Sequence, residues 1–158
     1  MIRVGYGHDT HRLELGRRLV IGGITIPHTL GPVAHSDGDV LLHAVTDALI
    51  GAAGWGDIGE WFPDTSDEFA GADSANLLTR VVDALAEKQW RIVNVDATVF
   101  AQLPKLSPFK DAIATRIAEL LRVEREAVNV KAKTGEKVGT IGRQEALAAA
   151  AAVLIERD

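Results

Sequence analysis

Ile2, Val4 and Tyr6 alternate with Arg3, Gly5 and Gly7, the period of two that an extended strand imposes; its glycines leave the backbone open to close approach. Leu19 to Ile21 and Ile24 to Ile26 flank Gly22-Gly23 and predict a small hairpin. Gly31-Pro32 then breaks the chain ahead of a helix over about residues 39–53, whose apolar members are Leu41, Leu42, Ala44, Val45, Ala48, Leu49 and Ala52. Ser36 or Asp37 stands where it could cap that helix. The glycine-punctuated stretch 51–59 ends it and, with residues 62–65, predicts a long irregular loop. A second helix over about 74–88 turns Leu77, Leu78, Val81, Val82 and Leu85 to one face. The clearest alternation runs from Ile92 to Gln102, and Ser107 with Pro108 opens a helix reaching about Leu121. Val128, Val130 and Ala132 alternate with Asn129, Lys131 and Lys133, a strand with a basic polar face. The last segment, from Gln144, is alanine-rich and helical by propensity. Strands alternating with helices, without internal repeats, predict an α/β or α+β layer with helices on one face.

Length and composition narrow the class. The chain has 158 residues, 47% hydrophobic and 25% charged, which fits a single globular domain over 1–158. No apolar run reaches the roughly 18 residues of a membrane span. The N-terminus shows neither a signal nor a transit pattern, so cytoplasm and no membrane partner are expected. With no cysteine, any metal must sit on histidine and carboxylate. A formal charge of −5 and the lack of a Lys/Arg tract argue against nucleic acid as a partner. An anionic small substrate then needs local cations or a metal.

Asp9 and His11, two apart in an extended segment, leave the same face of the first strand. Asp39, His43 and Asp47 lie four apart along one polar edge of the first helix. His43, flanked by carboxylates that could orient its ring, reads as a ligand, whereas Asp37, Asp39, Asp47, Asp57 and Asp64 are equally at home as caps, turn residues or solvated faces. Asp9, His11 and His43 together suit one divalent metal, zinc foremost, and three ligands leave one position open, as in a catalytic site. Further along, Thr134, the glycines at 135, 139 and 142, and Lys133, Lys137 and Arg143 could surround a phosphate or form a charged surface turn. His28 reads as a surface histidine.

Read in order, Gly5-x-Gly7-x-Asp9-x-His11, the AHSDGDV stretch at 34–40 with His43 beyond it, and GDIG at 56–59 leading to FPDT at 62–65 form half of a pattern. AQ-x-PK at 101–105, NVKAKT-x-E at 129–136 and Gly142-Arg143 complete it. The pattern covers essentially the whole chain and resembles the 2-C-methyl-D-erythritol 2,4-cyclodiphosphate synthase family of the non-mevalonate isoprenoid pathway, in its stand-alone form. The resemblance implies a mixed four-stranded β-sheet with helices packed on one face. It further implies a homotrimer with sheets facing the three-fold axis and active sites between subunits. It also makes about Gln144 to Glu156 a strand, overriding propensity.

The family's reaction converts 4-diphosphocytidyl-2-C-methyl-D-erythritol 2-phosphate to the 2,4-cyclodiphosphate with release of CMP, a cyclising phosphorus–oxygen lyase. Carried over by position, the resemblance puts one Zn2+ per active site on Asp9, His11 and His43 and a second divalent ion, Mg2+ or Mn2+, on Glu136. His35 and Thr134 match its catalytic, transition-state-stabilising positions. Ser36, Asp57, Gly59, Phe62 and Asp64 match contacts to the methylerythritol part. Ala101 through Ser107, with Pro104, Lys105 and Leu106 among them, match the cytidine pocket, completed by Lys133. Asp9, His11, Glu136 and Arg143 also fall in the substrate-binding set. Three positions differ from the family's common residues: Gly135 for Thr or Asn, Ser66 for an acid, and Thr140 for a Phe beside Arg143 on the trimer axis, where relatives can hold an isoprenoid diphosphate.

Two other readings share the ligands. A zinc-dependent phosphodiesterase or nucleotide pyrophosphatase would hydrolyse rather than cyclise. A structural zinc in a non-enzymatic trimer would need a fourth protein ligand, with His35 or Asp39 as candidates.

Overall fold

The computed structural model describes residues 1–158. The chain runs β1 (Ile2–Leu15), β2 (Leu19–Ile21), β3 (Ile24–Ile26), β4 (Leu30–Pro32), α1 (Val40–Ala53), α2 (Ile58–Trp61), α3 (Ser74–Glu87), β5 (Arg91–Phe100), α4 (Lys110–Leu121), β6 (Val128–Lys133), α5 (Gly139–Gly142) and β7 (Ala146–Glu156). β2 and β3 form the hairpin expected around Gly22-Gly23. The main sheet is mixed and ordered β4-β1-β7-β5-β6; the four long strands are joined by β4, a three-residue edge.

β7 lies in the centre of the sheet. It pairs antiparallel with β1, from Ile2↔Glu156 to Arg12↔Ala146, and with β5, from Arg91↔Glu156 to Phe100↔Ala148. Two ladders hold its backbone along its length, and that outweighs the few tenths of a kcal/mol per residue by which alanine favours a helix. β5 and β6 are parallel and are joined through α4, the kind of crossover a parallel pair requires. The carboxyl ends of β1, β5 and β6 therefore emerge at one end of the sheet.

The glycines of β1 face inward. A Cβ on Gly5 would lie 1.9 Å from the Ala48 carbonyl oxygen, so α1 packs directly on strand backbone. Leu147, Ala149, Ala151, Val153 and Ile155 of β7 are buried on the same side. α1 is buried almost all round, which accounts for its apolar residues beyond a single stripe. The apolar alternation of β1 points the other way: Ile2, Val4 and Tyr6 are 68%, 73% and 66% exposed. No helix is long and apolar enough to cross a membrane.

Several local expectations are corrected. Neither Ser36 nor Asp37 caps α1; Asp39 does, its Oδ1 accepting from the Leu42 amide at 3.0 Å. The same carboxylate accepts from the Gly22 and Gly23 amides at 2.9 and 2.7 Å, so it is fully buried rather than on a polar edge with His43. Asp47 stays on that half-buried edge with His43 but is engaged there, accepting from the Ile58 amide. Ser107 starts a 3-10 turn without capping through its side chain. The loop after α1 folds in part into α2, capped by Asp57. His28 is half-buried, and its Nε2 lies without a partner near Leu13, Leu19 and Leu103.

Candidate functional site

Two elements bring three ligand atoms to one point. β1 directs Asp9 and His11 toward the helix layer, two residues past the glycine contact, and α1 presents His43 from its first turn. Asp9 Oδ2 lies 2.9 Å from His11 Nε2 and 2.9 Å from His43 Nδ1, and the two imidazole nitrogens are 3.3 Å apart. A tetrahedral ion with bonds of about 2.0–2.1 Å holds its ligand atoms roughly 3.3–3.4 Å apart, so small side-chain shifts would seat one ion among these three. They are also the one set of three or more His, Cys, Asp or Glu side chains close enough to share a metal. Neither His35 nor Asp39 joins it. His35 Nε2 lies 3.3 Å from the Ser66 carbonyl oxygen, and Asp39 is committed to three amides.

The local field suits a cation. Burial pushes the Asp9 carboxyl upward, but hydrogen bonds and charge from His11 and His43 outweigh it and hold the group well below the usual carboxylate range. Burial likewise opposes charge on His43; Asp9, through its hydrogen bond and charge, and then the charges of Asp39 and Asp37 outweigh this and raise it. For Asp39 burial dominates and pushes the carboxyl up to about 6, against the Leu42, Gly23 and Gly22 amides.

Behind His43 stands a residue that the sequence pattern does not single out. Ser74, at the start of α3 and 1% exposed, places its Oγ 2.8 Å from His43 Nε2 and hydrogen-bonds the Asp37 carboxylate. The carboxylates expected to flank the ring along the helix do not touch it. Ser74 lies 31 residues from His43, and only the packing of α3 beside α1 reveals the contact.

A cavity of about 490 Å3 opens on the three ligands. His35, Ser36, Gly59, Phe62 and Asp64 line it, with Pro63, Phe69 and Leu77 as further walls. Asp57 does not line it; its side chain caps α2, accepting from the Glu60 amide. Ala101, Pro104, Lys105, Leu106 and Ser107 line a separate cavity of about 340 Å3 with Lys133 and Thr134. Glu136 adjoins that group, its amide donating to Thr134 Oγ1. Within one chain the ligands and the 101–107 turn thus belong to two cavities at the same end of the sheet. Arg143 is exposed and ion-paired with Glu145, and the Gly142 amide closes its own turn on Val138.

Residues 2–156 match the YgbB family. A 2-C-methyl-D-erythritol 2,4-cyclodiphosphate synthase of Pseudomonas putida is 54% identical over 154 residues, covering 98% of both chains. Among solved structures, the bifunctional IspDF from Campylobacter jejuni matches with a TM-score of 0.95 at 44% identity, over 100% of this chain and 43% of that one. An IspF of Plasmodium falciparum, solved as a CDP complex, matches with a TM-score of 0.87 at 34% identity, over 99% of this chain and 97% of its own.

Proposed function

The chain belongs to the YgbB family, and from that membership and the donor set at its cavity we propose a metal-dependent, cyclising phosphorus–oxygen lyase. It converts 4-diphosphocytidyl-2-C-methyl-D-erythritol 2-phosphate to 2-C-methyl-D-erythritol 2,4-cyclodiphosphate and releases CMP, a step of isoprenoid precursor biosynthesis. The observation that carries the metal is the convergence of Asp9 Oδ2, His11 Nε2 and His43 Nδ1 at the cavity wall.

An oxygen of the 2-phosphate forms a bond to the β-phosphorus. The bond from that phosphorus to the oxygen bridging to CMP breaks, and CMP leaves with the electron pair. The attacking oxygen is already ionised at neutral pH, so alignment and charge neutralisation carry the rate. Zinc on Asp9, His11 and His43 and a magnesium or manganese ion on Glu136 would supply Lewis-acid charge neutralisation at the phosphates. His35 and Thr134 donate hydrogen bonds to the phosphate oxygens as negative charge shifts between them. Ser36, Asp57, Gly59, Phe62 and Asp64 hold the methylerythritol part; all but Asp57 line the metal cavity. Ala101, Pro104, Lys105, Leu106 and Ser107 with Lys133 hold the cytidine end, and they share the second cavity. Arg143 is a further phosphate contact, reached by exchange of its Glu145 partner.

The two cavities join across a homotrimer in this reading, one subunit's metal cavity facing its neighbour's nucleotide turn. The exposed apolar face of Ile2, Val4 and Tyr6 supports it, because an unpartnered row of large apolar side chains on a sheet marks an association surface. The enzyme works in the cytoplasm as a single-domain subunit.

The deciding experiment follows CMP release from the cytidylylated substrate with phosphorus NMR of the products. One cyclic diphosphate per CMP is expected. CMP together with an open-chain 2,4-bisphosphate would replace this reading with a hydrolytic one.

A further inference from the structure

We infer that Ser74 and Asp37 form a hydrogen-bond clamp that fixes which nitrogen of His43 faces the metal. A serine hydroxyl carries one hydrogen and a carboxylate only accepts. Ser74 donates that hydrogen to Asp37 Oδ1. Its oxygen, 2.8 Å from His43 Nε2, is therefore left to accept, and the hydrogen of that contact belongs to the imidazole. With Nε2 keeping its hydrogen against Ser74, Nδ1, which meets Asp9 Oδ2 and His11 Nε2, is the atom left to give up its hydrogen and turn a lone pair to a metal. Asp37 is held in turn: its Oδ2 accepts from the Ser74 amide at 3.1 Å and its Oδ1 from the Asp39 amide at 3.0 Å. Ser36 Oγ, 3.2 Å from the same nitrogen, is the longer second acceptor.

The chain Asp37–Ser74–His43 thus selects the tautomer and the ring orientation at once. Without it, neutral His43 could keep its one hydrogen on Nδ1, between the ligand atoms, and leave its lone pair on Nε2, pointing away from them. Ser74 and Asp37 belong neither to the cavity lining nor to the ligand set, so they are positioning residues. The inference rests on the reading of Asp9, His11 and His43 as metal ligands.

The test is a zinc titration of the full-length, metal-free chain against a chromophoric chelator, for wild type, Ser74→Ala, Ser74→Thr and Asp37→Asn. Loss of such a hydrogen bond behind a metal-binding histidine typically weakens affinity about 10–100-fold. That loss is expected for Ser74→Ala, with Ser74→Thr recovering most of it because the hydroxyl returns. The double variant Ser74→Ala/Asp37→Asn should lose no more than the larger single loss, since one chain of contacts is cut in either place. Wild-type affinity in Ser74→Ala overturns the clamp and leaves the ligand assignment standing; a wild-type chain that binds no zinc overturns both. The second readout, nitrogen-15 NMR of the zinc-loaded wild type, does not depend on the alanine variant folding. His43 should show a hydrogen-bonded, slowly exchanging Nε2–H, and rapid exchange with solvent overturns the clamp.

Discussion

A Cβ placed on Gly7 would lie 2.0 Å from the carbonyl oxygen of Ala44, so β1 and α1 meet backbone to backbone. Gly7 stands two residues before Asp9, and Ala44 directly follows His43. This contact sets the separation between the strand-borne and the helix-borne ligands. Gly7→Ala should push the helix outward, costing about 1–3 kcal/mol by overpacking. Zinc content of the purified variant should fall with it. Urea unfolding and metal analysis check this, and wild-type values in both would mean that the contact does not govern the ligand spacing.

The two proposed ions should respond to different substitutions. His43→Ala should leave the chain folded but strip the zinc and abolish CMP release. Glu136→Gln should keep the zinc and raise the magnesium or manganese concentration needed for half-maximal turnover. Zinc-free turnover in the first variant, or an unchanged metal titration in the second, would remove the corresponding assignment.

Val4 is 73% exposed on the outer face of β1. A charge there would have to be desolvated in a packed trimer, so Val4→Asp should yield monomers by analytical ultracentrifugation. CMP release should fall with assembly, because in the proposed trimer each metal cavity faces its neighbour's nucleotide turn. A fully active monomer would place the whole site within one chain.

Lys131 first, then Asn129, hydrogen-bond Asp96 and hold its carboxyl below its ordinary value. A depressed carboxyl stabilises the fold above the unfolded-state value and loses that contribution as pH falls through the folded one. Both side chains are nearly half exposed, so the pair contributes below about 1 kcal/mol. Lys131→Met should therefore be slightly less stable than wild type at pH 7, with the gap closing below about pH 4. A gap that persists in urea titrations at low pH would assign it to packing rather than charge.

Much of the fold was legible because it depends on near neighbours in the chain. The period of two over Ile92 to Gln102, the apolar stripe over 74–88 and the glycine pair of the hairpin each produced the expected element. Asp9 and His11 share a face because strand geometry leaves them no other choice. The helix spacing of His43 between carboxylates added it to them, and the structure brings all three together.

The rest depended on partners distant in sequence. Alanine over residues 146–156 prefers a helix locally, and only two flanking ladders make it a strand. Asp39 looks like any polar helix residue until the hairpin, 16 and 17 residues away, delivers two amides to it. Alternation in β1 told that one face is apolar, but its glycines give the inner face to α1 and leave the apolar row outward. Ser74 carries no local mark at all. Sequence spacing determines which side chains share a face, whereas which face is covered, and by what, is decided by close packing between elements brought together only in the folded chain.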